Sequence, residues 1–119
     1  MTQGDKCYIM LIGYSNKDTE KICNDDKVAK KKLGNAVSTK LFQRLQWLSK
    51  APNLEFFNST YRFLRVHKLS GNYDGMYALD INKQYRIVFY PCDEYGDPNY
   101  DDFKAISVVT IQEVSKHYE

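Results

Sequence analysis

The spacing of apolar residues divides the chain into a first strand, a block of helices and a run of four strands. Cys7 to Tyr14 is a short, dense apolar run and predicts a strand. Asp18 predicts the cap of a short helix over Thr19–Asn24. Asn24 or Asp25 caps the next, Lys27–Leu33, and Gly34 fits its C-terminal stop. Asn35 predicts the start of the longest helix, Ala36 to Lys50, which ends before Pro52. Its apolar positions Val37, Leu41, Leu45 and Leu48 recur at spacings of four, four and three, so one face is apolar. Lys40, Gln43, Arg44 and Lys50 are left for its other faces.

Pro52 to Thr60 reads as a linker or irregular turn. Tyr61–His67 alternates and predicts a strand, with Tyr61, Phe63, Arg65 and His67 on one face and Arg62, Leu64 and Val66 on the other. Ser70–Asp74 is a polar loop. Met76–Ile81 and Tyr85–Tyr90 predict a hairpin across Asn82-Lys83-Gln84. Pro91 to Phe103 is acidic and rich in turn formers, which predicts a mobile surface loop. Ala105–Val114 predicts the last strand and Ser115–Glu119 a tail. This order predicts one α+β domain over residues 1–119, its helices on one face of a mainly antiparallel sheet.

Composition narrows the class. The 119 residues are 43% hydrophobic and 27% charged, enough for a core without staples. The longest apolar run, Ile9 to Ile12, is far too short to cross a membrane, so no membrane partner is expected. The N-terminus lacks the basic-then-apolar layout of a signal peptide, so a cytoplasmic location is expected. Cys7, Cys23 and Cys92 are odd in number and widely spaced, which argues for free thiols over disulfides or a zinc site.

Charge sharpens the picture further. Residues 1–26 hold three lysines against five acids, a balance of −2. Residues 27–68 hold ten Lys/Arg and only Glu55, a balance of +9, and residues 69–119 hold four against nine, a balance of −5. A block of that sign is the footprint of a polyanion partner, or of a solvated helix face.

The residues suited to chemistry cluster between Arg65 and Tyr90. Cleaving RNA through its own 2′-hydroxyl needs a base for the 2′ proton and an acid for the departing 5′ oxygen. It also needs cations for the extra charge on phosphorus. The nucleophile is already on the substrate, so no cofactor or metal is called for. The chain has two histidines, His67 at the end of one predicted strand and His117 after another. Either can serve as base or acid. Arg65, Lys68 and Arg86 can hold phosphate oxygens. Each has a plainer structural role as well, such as Arg86 pairing with Asp80 across the hairpin. Tyr77, Tyr85, Tyr90 and Tyr118 can stack on bases or simply pack.

These residues also resemble a known family. His67-Lys68-Leu69-Ser70-Gly71, Gly75, Tyr77-Ala78-Leu79-Asp80-Ile81 and Tyr85-Arg86-Ile87-Val88-Phe89 follow the order of the core motif of the HigB-type toxins in the RelE/ParE superfamily. Val28 to Gly34, with Leu45, Leu48 and Ala51 to Leu54, resembles a subgroup labelled plasmid-maintenance killer proteins. Ile111 to Tyr118 resembles the closing strand and tail of the same group, so the resemblance spans about residues 7–118. Many relatives close with Asp-Tyr-His, whereas Lys116-His117-Tyr118 transposes the last two, and Ser70 stands where several place a lysine.

The resemblance implies a RelE-like microbial RNase fold and the toxin of a type II toxin–antitoxin pair, an endonuclease that cuts translated mRNA on the ribosome. Its partners would be the ribosome, mRNA and a helix-turn-helix, HigA-like antitoxin. His67 and Arg86 match the signature positions, with His117 and Tyr118 as the further catalytic residues. His67 or His117 would be the base, with the other histidine or Tyr118 as acid. Arg65 and Lys68 would assist Arg86, while Lys30, Lys31, Lys32, Lys40 and Arg44 would dock on ribosomal RNA through phosphate contacts. The competing readings are a relative without nuclease activity that poisons DNA gyrase, and a non-catalytic RNA-binding or regulatory module.

Overall fold

Strand β5 (Val108–Lys116) organises the sheet, because it is paired on both sides. It runs parallel to β1 (Leu11–Tyr14) and antiparallel to β4 (Tyr85–Cys92), in the strand order β1-β5-β4-β3-β2. The remaining strands are β3 (Tyr77–Asp80) and the two-residue edge strand β2 (His67–Lys68), both in antiparallel pairing. The structure is a computed structural model, and it describes residues 10–93, 95 and 102–116. Four helices lie between β1 and β2, so the fold is α+β with a mixed, mostly antiparallel sheet. Among the described residues no helix is long and apolar enough to cross a membrane.

Local chemistry sets the helix ends. The Asn16 side chain accepts the Thr19 N–H at 2.8 Å and starts α1 (Lys17–Asn24), so Asp18 lies inside the first turn instead of capping it. Asp25 caps α2 (Asp26–Leu33), taking the N–H groups of Lys27 and Val28. Gly34, at φ 86°, ends α2 and begins α3 (Asn35–Lys50), so Asn35 is the first helical residue and not the cap. From α3, Leu41, Leu45 and Leu48 join Leu79, Ile87, Phe89, Val109 and Ile111 of the sheet in one core. Burying a side chain such as Phe89 stabilises by about 1.5–3 kcal/mol.

Three segments differ from the sequence reading. The expected linker after Pro52 is a helix, α4 (Leu54–Thr60). Asn53 caps it by accepting the Phe56 N–H at 2.8 Å, and Leu54 and Phe57, one turn apart, are fully buried. The expected strand Tyr61–His67 is a 3₁₀ turn at Arg62–Leu64 followed by a left-handed Arg65, with only His67 joining the sheet. Its alternation comes from packing on α3. Tyr61 stacks on Trp47 with centroids 4.5 Å apart, and Phe63 meets both rings edge-on. The expected loop from Pro91 begins later, since β4 runs on through Cys92 opposite Val108. Beyond Phe89, β4 has no β3 neighbour, and an edge tolerates proline.

Smaller differences concern strand ends. β5 starts at Val108 and continues to Lys116, past the expected end at Val114. Gly71–Tyr73 is a single 3₁₀ turn inside the expected loop. The first three residues of the expected opening strand, Cys7 to Ile9, lie outside the described residues, as do 94 and 96–101 of the acidic loop.

Candidate functional site

The register of the sheet sorts its side chains into two sets. Ile87 and Phe89 of β4 face the helices, so Arg86 and Val88 face the other way. His67 is opposite Ala78, Ala78 is opposite Val88, and Val88 is opposite Glu113. These four form one row across the helix-free face. Asp80, Arg86 and Ser115 form the next row. A bulge between Val88 and Phe89 shifts the β4–β5 register, which lets Ile111 and Val114 both face the helices while Glu113 and Ser115 stay opposite.

His67 and Arg86, the two residues that the sequence singled out first, therefore share a face. They lie two strands and two residues apart, which places their Cα atoms on the order of 12 Å from each other. Side chains of their length can converge on one phosphodiester from that separation. His67 Nδ1 is within hydrogen-bond distance of the Arg65 carbonyl oxygen. A carbonyl only accepts, so Nδ1 is the donor in this contact and Nε2 is the ring nitrogen it leaves unused. The left-handed Arg65, at φ 54°, aims that carbonyl back at the ring. Such a conformation costs a non-glycine residue about 1–2 kcal/mol. The Arg65 side chain turns elsewhere, its Nε 3.0 Å from Asp80 Oδ2.

Arg86 has unusual surroundings. Its guanidinium lies over the Tyr73 ring, Cζ 5.3 Å from the centroid. Its Nε is buried without a hydrogen-bond partner, as is the hydroxyl of Ser115 on the strand beside it. Tyr73 comes from the connection between β2 and β3, yet its hydroxyl donates to Glu113 Oε2 on β5 at 2.8 Å. Its side chain thus crosses the helix-free face above the intervening strands. The bond to Glu113, with burial and the carboxylate's charge, raises the Tyr73 pKa, and the Arg86 cation pulls the other way. The phenol stays protonated at neutral pH. The sequence reading missed Tyr73 and Glu113. The glycines at 71 and 75, both at positive φ, bracket the turn that presents Tyr73 and were the available signal.

The other expected residues are dispersed. Lys68 is opposite Tyr77, so the register puts it on the side away from His67. Lys30, Lys31 and Lys32 lie on α2, in the helical layer behind the sheet. Lys30 pairs with Asp26 at 2.9 Å, and Lys31 and Lys32 border an open groove of about 560 Å³ with Asp18, Lys21 and Val28. Lys40 borders a second groove, of about 310 Å³, beside Phe63 and Lys83. Arg44 borders that groove too, but it is not on an outer face of α3 as expected. It is 8% exposed, donates to the Ile81 carbonyl at 2.9 Å and to Gln43, and lies over Trp47. A long side chain there closes the gap between α3 and the β3–β4 turn. His117 and Tyr118 lie outside the described residues.

Comparison with known proteins adds no name to this geometry: no protein-family model, no curated protein and no solved structure matches the chain.

Proposed function

We propose that the protein is the toxin of a type II toxin–antitoxin pair on a RelE-like fold, a metal-independent endoribonuclease acting on mRNA in the ribosome. The observation that carries this reading is the placement of His67 and Arg86 on one helix-free sheet face, with His67 Nε2 not used by the contact that holds Nδ1. Arg86 is the cation for the phosphate. His67 or His117 takes the 2′ proton, and the other histidine or Tyr118 delivers one to the 5′ oxygen. The 2′ oxygen bonds to phosphorus, the bond to the 5′ oxygen breaks, and that oxygen leaves with the delivered proton. The products are a 2′,3′-cyclic phosphate and a 5′-hydroxyl.

The ribosome supplies the substrate's orientation, and the lysines of α2 with Lys40 supply phosphate contacts to ribosomal RNA. Neutralisation falls to a helix-turn-helix antitoxin, and the site of action is the cytoplasm, where ribosomes translate. The test is cleavage of a defined mRNA on programmed ribosomes by the purified protein. One cut bearing those ends, lost when the nucleotide at the cut carries a 2′-deoxy sugar, is expected. An intact message overturns the reading, and gyrase inhibition or RNA binding without cleavage would then be the activity to measure.

A further inference from the structure

We infer that Tyr73 is a positioning residue of this face: it stands between Arg86 and Glu113 and keeps the guanidinium available to an RNA phosphate. The inference rests on the proposed reading for Arg86's ligand, but the separation itself is read from the sheet. Arg86 is directly opposite Ser115, so Glu113 is its diagonal neighbour on the adjacent strand. Diagonal neighbours lie about 7–8 Å apart, a separation that Arg and Glu side chains span easily. A half-buried Arg and Glu so placed ordinarily pair, and the carboxylate would then occupy the cation.

They do not pair here. Among the described residues no ion pair joins Arg86 to Glu113, whereas Lys30 pairs with Asp26 and Arg65 with Asp80. The Tyr73 hydroxyl instead engages Glu113 at 2.8 Å while its ring carries the guanidinium at 5.3 Å. One side chain thus satisfies both charges without letting them meet. A ring face attracts a cation without binding its N–H groups as a carboxylate does, and those groups are what a phosphate oxygen needs. The backbone supports the arrangement. Tyr73 lies in a 3₁₀ turn between Gly71 at φ 65° and Gly75 at φ 87°, and its carbonyl accepts the Met76 N–H at 2.9 Å. Both glycines occupy a region costly for any other residue, so the turn that aims the ring is fixed by composition.

The test compares the wild type with Tyr73→Phe, Tyr73→Ala, Glu113→Gln, Tyr73→Ala/Glu113→Gln and Arg86→Ala. Cleavage on programmed ribosomes is one readout and the Arg86 Nε–H resonance is the other. Tyr73→Ala is expected to lower the turnover rate by about tenfold or more, the scale of a hydrogen bond to a charged group. Adding Glu113→Gln should restore it, because the Glu113 charge is gone and Asp80, directly opposite Arg86, is already paired with Arg65. Tyr73→Phe keeps the ring and should lose little. Glu113→Gln should move the Arg86 Nε–H signal in the Tyr73→Ala background and hardly at all in the wild type. Tyr73→Leu replaces Tyr73→Ala if the latter does not fold.

The inference is overturned if Glu113→Gln alone abolishes cleavage, if the double variant is no better than Tyr73→Ala, or if the Arg86 signal ignores Glu113 in both backgrounds. Cleavage by Arg86→Ala at the wild-type rate, or none by the wild type, sinks the proposed function instead. The resonance still decides what Tyr73 does.

Discussion

The two faces of the sheet are built from alternate residues of the same strands, yet they do opposite work. Towards the helices, Leu79, Ile87, Phe89, Val109 and Ile111 are all fully buried in one apolar core. Away from them, β4 and β5 present Arg86, Glu113 and Ser115, with orphaned buried polar atoms at Arg86 and Ser115, and the edge strand β2 adds His67. Unsatisfied buried polar groups cost about 1–3 kcal/mol each, so this face is held at the expense of stability. The core face sustains that cost. A period of two therefore separates the apolar core from the polar residues proposed for catalysis within one strand.

The comparison breaks most visibly if Phe89 is truncated. Phe89→Ala should destabilise by about 3–5 kcal/mol in denaturant melts. Its neighbour-but-two on the other set, Arg86, should behave oppositely. Arg86→Ala should change stability by less than about 1 kcal/mol, since it removes a cation–π contact and an orphaned donor together. It should lower mRNA cleavage about a hundredfold or more. Similar losses of stability for both would dissolve the distinction between the faces.

A third prediction concerns the helix side alone. Burial raises the Cys23 thiol from 9.0 to about 12. The neutral thiol is favoured in the folded state, so its contribution is complete below pH 9 and is lost as pH rises towards 12. Stability should fall by about 2 kcal/mol between pH 9 and pH 11, and Cys23→Ala should remove that slope. The smallest effect belongs to the turn behind His67. Arg65→Gly and Arg65→Ala both lose the pair with Asp80, but only glycine relaxes the left-handed backbone. The glycine variant should be the more stable by about 1 kcal/mol, read from melting curves.

Much of this was legible in the chain. The spacing of Leu41, Leu45 and Leu48 located α3 and its buried face, and the hairpin over 82–84 followed from alternation on either side. The pairing of His67 with Arg86 on one face follows from period-two alternation once the register is known. What misled was alternation with another cause. Tyr61 and Phe63 are spaced like a strand because they grip Trp47, and Pro52-Asn53 is turn-like because Asn53 caps a helix. Arg44 looked like a surface cation since charge alone does not reveal a carbonyl waiting at Ile81. Tyr73 and Glu113 are 40 residues apart, and no local pattern joins them. The parallel pairing of β1 with β5 is equally non-local.

The most direct measurement is the mapping of 5′-hydroxyl mRNA ends after induction of the wild type, His67→Ala and Arg86→Ala at matched levels. New ends within translated codons for the wild type, absent from both variants, are predicted. The same ends from both variants would contradict the assigned site, and none from the wild type would contradict the nuclease itself.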